Sequence, residues 1–149
     1  MISILKNISF YVLISFLLCF AAHSLQSKSL FDYLSKNIIG LLFTLLAINT
    51  ATSGLIASKM QDLVSKFPRF DFNETVKQMK LSLLEQIILI VISVITIILQ
   101  GSTLVDFPQK EFTLDIILVS IMVYSIDILW DTGKAVFIVI EEIQKMNNE

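Results

Sequence analysis

Between Leu81 and Leu99 the chain reads LSLLEQIILIVISVITIIL. In water such a density of Ile and Val favours a strand. In lipid the same run is compatible with a helix, because backbone N–H and C=O groups in hydrocarbon must find their partners within the segment. Three further apolar runs accompany it. The first is Ile8 to Ala22, preceded by Lys6; with the residues before it, it supplies about 20 mostly apolar positions, enough for one crossing. The second, Ile38 to Ala57, is bounded by Asn37 and Lys59 and continues through SKMQDLVSKF until Pro68 stops it. QGSTLVDFPQK breaks the third run, and the fourth extends from about Phe112 to Ile143. The expected fold is therefore all-α, an integral membrane four-helix bundle in one domain spanning residues 1–149, with helices over 4–23, 37–66, 76–100 and 112–144 and a polar segment at 59–80.

Composition agrees with the solvent that these runs demand: 55% of residues are hydrophobic and 16% charged, with a mean hydropathy of +0.79, far from the globular average. Unbroken runs without period-2 alternation exclude a membrane β-barrel. A net charge of −2 gives no general attraction to nucleic acid. One cysteine, Cys19, excludes an internal disulfide, and one histidine, His23, leaves no cluster of metal ligands. The first run allows two readings. FAAHS imitates the cleavage site of a signal peptide, but the length favours a retained helix.

Basic residues near helix ends set the orientation. With the N-terminus inside, Lys6, Lys59, Lys66, Arg69, Lys77, Lys80 and Lys145 are cytoplasmic, and Lys28, Lys36 and Lys110 face out. The expected location is the cell inner membrane, with both termini in the cytoplasm. The segment at 59–80 mixes cations with aromatic rings, and Lys66, Arg69, Phe70 and Lys77 are its candidate contact residues. Two uses compete: an interfacial hairpin meeting anionic lipid, or a platform for a cytoplasmic protein. Asp71 and Glu74 have capping-box spacing for the helix that follows.

The fourth run carries Asp127, Asp131 and Lys134 inside apolar sequence. At 100° per residue they fall with Ser120 and Tyr124 within about 80° of one another on a helix. Asp131 and Lys134 are three apart and can pair, which leaves Asp127 to find another partner. On the third helix Ser82, Gln86, Ser93, Thr96 and Gln100 share a face, with Glu85 at its edge. Ionisable residues in a membrane helix cost a few kcal/mol each and face a bundle interior, a cavity or each other, so the two stripes are expected to pack together. They serve either as interhelical glue or as the lining of a hydrated path or sensor cavity. On the second helix Thr50, Gly54 and Ser58 recur every four residues and permit close approach, while Asn49 can hydrogen-bond across the contact. That seam joins helices within one chain or between chains, and homo-oligomerisation is expected.

Catalytic patterns fail. DTGKA lacks the glycine that a phosphate-binding loop needs five positions before its Gly-Lys pair, since residue 128 is Ile. His23 is the only imidazole available to any nucleophile. Paired intramembrane aspartates of a protease come from two helices, whereas Asp127 and Asp131 share one. The chain reads as a non-enzyme without a cofactor.

The layout of a short first helix, a second helix running into a basic segment, two more helices and the charged tail EEIQKMNNE, together with a glutamate in the third helix (LSLLEQIILIV), resembles small multi-pass subunits of bacterial antiphage systems. The membrane partner of the Rex phage-exclusion pair and the membrane subunit of Kiwa-type systems are the examples. The resemblance covers most of the chain as an arrangement. It implies a membrane sensor or ion-conducting effector working with a cytoplasmic partner, with membrane perturbation, ion conduction or signalling as the mode of action. The other class open to the sequence is a passive membrane anchor or a small transporter or assembly subunit.

Overall fold

The computed structural model describes residues 2–66 and 72–147. They form four helices: α1 (Ile2–Ser24), α2 (Ser29–Lys66), α3 (Asn73–Gly101) and α4 (Lys110–Asn147). The chain is an all-α bundle. Each of the three later helices begins earlier than its apolar run. The difference is largest for α2, which starts at Ser29 and not at residue 37. SLFDYLSKN looks polar, yet Phe31, Leu34 and Ile38 recur at helical spacing, and Leu34 and Ile38 are buried. The Asp32 N–H donates to the Lys28 carbonyl at 3.0 Å to open the first turn. There the Asp32 carboxylate meets the positive end of the helix dipole. The starts of α3 at Asn73 and α4 at Lys110 likewise correct expected starts at 76 and 112.

The turn between α1 and α2 is tight. Gln26 adopts a positive φ of 51°; its N–H donates to His23 O at 3.0 Å, and the Ser27 N–H donates to Ala22 O at 2.9 Å. This is the double closure that ends many helices, with glutamine in the left-handed position usually held by glycine.

α4 is the hub: it packs against α1, α2 and α3, and α2 also packs against α3. Ile38 and Leu42 of α2, Leu89 of α3, and Leu118, Ile121 and Ile128 of α4 form the central core. Cys19 of α1, Leu34 of α2 and Val119 of α4 make a second cluster near the α1–α2 turn. At the opposite end Ile56, Met60 and Leu63 of α2 pack with Phe72, Met79, Ala135 and Val136.

Outside this core the surface is apolar. α1 exposes Phe10, Leu13, Phe16, Leu17 and Phe20, and α3 exposes Leu84, Ile87, Ile88, Val91, Ile95 and Ile98. Contiguous greasy faces of this extent on a soluble monomer would associate; in a bilayer they meet acyl chains. Ser29–Ser65, Asn73–Gly101 and Lys110–Ile138 are long and apolar enough to cross a membrane, and the apolar stretch Ser9–Ser24 of α1 is shorter. This is the architecture of a membrane protein.

Candidate functional site

The polar residues of α3 and α4 meet inside the bundle. Gln86, Ser93 and Thr96 are buried on α3, so its polar face turns inward. The Tyr124 hydroxyl on α4 donates to Glu85 Oε2 on α3 at 3.1 Å. One turn further along α4, Asp127 accepts a hydrogen bond from the Tyr11 hydroxyl of α1. The two tyrosine rings lie against each other with centroids 5.1 Å apart. Beside Glu85, Gln86 Oε1 accepts from Asn49 Nδ2 of α2 at 3.0 Å, and the same nitrogen lies 3.4 Å from Ser82 Oγ. A polar girdle therefore crosses all four helices: Tyr11–Asp127 joins α1 to α4, Tyr124–Glu85 joins α4 to α3, and Gln86–Asn49 joins α3 to α2. It sits near the midpoints of α2 and α3.

The girdle's chemistry is that of carboxylates held by neutral donors. Among the described residues, neither Asp127 nor Glu85 has a cation within salt-bridge distance. A phenol hydroxyl supplies a hydrogen bond to each half-buried carboxylate, yet leaves its charge uncompensated. No three of His, Cys, Asp and Glu among the described residues converge on a metal-holding arrangement.

The α4 stripe splits where the sequence suggested one face. Asp131 and Lys134 pair at 2.7 Å but are 66% and 52% exposed at the side chain, and the Lys134 ammonium sits 5.7 Å from the Trp130 ring centre. The arc of about 80° straddles the edge of the contact with α3, so the early members turn in and the late ones turn out. Asp131 lines one wall of a groove of about 200 Å³ between α3 and α4, shared with Ser82, Glu85 and Thr132. Ser120 is half-buried and bonds back to Ile116 O at 2.7 Å.

On α2 the inward residues are Asn49 and Ser53, both buried. Thr50, Gly54 and Ser58 are exposed, and a Cβ added at Gly54 would meet nothing within 4 Å. The small-residue face does not join helices within the chain. Lys77 forms an exposed pair with Glu74 at 3.8 Å. Arg69, Phe70 and the Asp71 cap lie outside the described residues, and Lys66 is described only as the last residue of α2.

Two participants escaped the sequence. Tyr11 is the partner that Asp127 lacked; its signal was the four-residue spacing of Tyr11, Ser15 and Cys19, which are the buried positions of α1 among the described side chains. The second is a cavity of about 710 Å³ at the end holding the α1–α2 turn, lined by His23, Lys28, Asp32, Ser35, Gln100 and Asp115 among others. There Ser35 Oγ donates to Gln100 Oε1 at 3.2 Å. Leu118 and Ile121, with Ile38, Leu42 and Leu89, form an apolar plug between this cavity and the girdle.

No family model, curated protein or solved structure matches the chain.

Proposed function

We propose that the chain is a membrane-embedded sensor or effector subunit, oligomeric in the bilayer, whose girdle of tyrosine-held carboxylates couples the helices and responds to charge or water entering from either end. The observation that carries this reading is the pairing of Asp127 and Glu85 with phenols from other helices. Passive glue is better served by neutral amides or hydroxyls, because a carboxylate without a countercharge lowers the stability of a membrane helix pair. Its presence mid-bundle is the mark of an ion, proton or potential-sensing role.

A single chain is closed by the plug of Ile38, Leu42, Leu89, Leu118 and Ile121. Conduction would therefore require movement of α4 or assembly of several chains. The outward small-residue face of α2, Thr50, Gly54 and Ser58, offers close approach to a second copy. The likeness of the layout to antiphage membrane subunits supports a place in bacterial defence, with the basic segment at 59–80 facing the cytoplasm and a cytoplasmic partner. The alternative is a passive anchor or an assembly or transporter subunit.

The decisive experiment compares wild type with Glu85→Gln and Asp127→Asn in a bacterial host, reading membrane depolarisation, protection against phage and assembly in native nanodiscs. The proposal expects normal assembly with at least a tenfold loss of activity. Variants that assemble and act as wild type would reduce the girdle to packing and favour the anchor.

A further inference from the structure

We infer that the α2–α3 contact holds a bound water at Asn49, Ser53 and Gln86, supplied through the groove beside Ser82. The site is assembled from two antiparallel helices. Asn49 and Ser53 lie one turn apart on α2, and Gln86 and Ser82 lie one turn apart on α3, so the four side chains form a square across the seam. Asn49 is 0%, Gln86 2% and Ser53 5% exposed.

Three polar atoms in this square have no protein partner: Asn49 Oδ1, Ser53 Oγ and Gln86 Nε2. Ser53 stands apart from the other buried hydroxyls. Ser15, Ser93, Thr96, Ser125 and Thr132 each donate to a carbonyl of the preceding turn at 2.8–3.1 Å. The Ser53 hydroxyl does not make that bond, although the helix offers it.

The unpaired set defines its ligand. Asn49 Oδ1 is an acceptor, Gln86 Nε2 is a donor, and a hydroxyl is either. Exchanging oxygen and nitrogen on both amides together preserves the 3.0 Å bond between them and again leaves one donor and one acceptor. A dehydrated alkali cation needs oxygen ligands and would be repelled by the N–H. An apolar occupant would satisfy none of the three. Water donates and accepts at once, and buried waters typically have about three hydrogen-bond partners, the number available here. Left bare, each such group would carry its full desolvation penalty.

A route for the water is present. Ser82 accepts from Asn49 at 3.4 Å and also lines the 200 Å³ groove with Thr75, Gln78 and Glu85. The groove begins near the start of α3 and meets the square at Ser82. Solvent in the groove is thus one side chain, Ser82, away from Asn49, whichever activity the bundle has.

Water-edited, proton-detected solid-state NMR in lipid bilayers tests this directly. The side-chain amides of Asn49 and Gln86 should show rapid magnetisation transfer from water, while the lipid-facing backbone amides of Ile87 and Ile88 at the same depth should not. Ser53→Leu should abolish the transfer while the Asn49–Gln86 amide shifts remain those of a bonded pair. Ser53→Ala, which retains the space, should keep part of it and serves as the conservative comparison if Ser53→Leu perturbs the fold. Absence of water transfer to both amides in the wild type would overturn the proposal. So would transfer that survives Ser53→Leu unchanged, since the water would then lie elsewhere.

Discussion

Tyr11→Phe removes one oxygen and leaves the ring in place against Tyr124. The hydroxyl is the donor that the structure gives Asp127 from α1, and no cation stands within salt-bridge distance of that carboxylate among the described residues. Interhelical hydrogen bonds in bilayers average about 0.6 kcal/mol and reach about 1.7, whereas bonds to charged groups in proteins contribute roughly 1.5–3 kcal/mol. Asp127 is half-buried, which places the expected cost near 1.5 kcal/mol, about a tenfold shift in the docking equilibrium of α1 on α4. Fluorescence transfer between dyes on α1 and α4, followed through a denaturant titration in detergent with Cys19 replaced, reads that equilibrium. In an Asp127→Leu background the same tyrosine change should cost less than about 0.5 kcal/mol, because there is no carboxylate left to strand. An equal cost in both backgrounds would show that the hydroxyl acts elsewhere, and the girdle would lose its α1 member.

Asn49→Leu or Gln86→Leu alone should destabilise by about 1–2 kcal/mol by stranding the opposite amide, and the double change should recover most of it; unfolding midpoints of the three variants decide. Lys134→Ala breaks a half-exposed pair and should shift stability by no more than about 1 kcal/mol, so a larger loss in thermal melts would mean that lipid or a second copy buries the pair. Gly54→Leu should leave the folded chain unchanged, since nothing lies within 4 Å of the added Cβ, while lowering the oligomer fraction in native mass spectra; unaltered oligomers would remove this face from the assembly. Gln26→Gly should stabilise by about 0.5–1 kcal/mol by relieving the left-handed backbone, and a neutral or negative effect in melts would indicate that the Gln26 side chain contributes contacts of its own. Cytoplasmic placement of 59–80 predicts that a cysteine at Ser65 is labelled only after permeabilisation and one at Ser102 in intact cells.

The fold was legible because hydrocarbon is a strict solvent. It leaves an apolar run of about 20 residues one regular choice, so four runs such as Leu81–Leu99 give four helices. The helix starts were less legible. SLFDYLSKN mixes charge with Phe31 and Leu34, and composition averages away the spacing that commits it to α2. The inward turn of Gln86, Ser93 and Thr96 could be read from their shared face. The partner of Asp127 could not, because Tyr11 is 116 positions away and only the packing of α1 on α4 brings them together. A face assigned by angle alone also misjudged Asp131 and Lys134: the boundary between buried and exposed depends on the neighbouring helix, and a single helical wheel contains no neighbour.

The lengths of α2 and α4 have a mechanical consequence. At 38 residues each they measure about 57 Å, nearly twice the roughly 30 Å of a hydrocarbon core. The apolar run Ile38 to Ala57 of α2 fills that core, so its surplus divides between residues 29–37 at the α1–α2 turn and residues 58–66 at the other end, about 13 Å each. With Ile56 at its base, Met60 and Leu63 pack this second extension against α3 and α4. A change in tilt of about 10°, small beside the 0–40° range of membrane helices, would carry its tip sideways by roughly 2 Å. A thinning bilayer would be felt there as displacement.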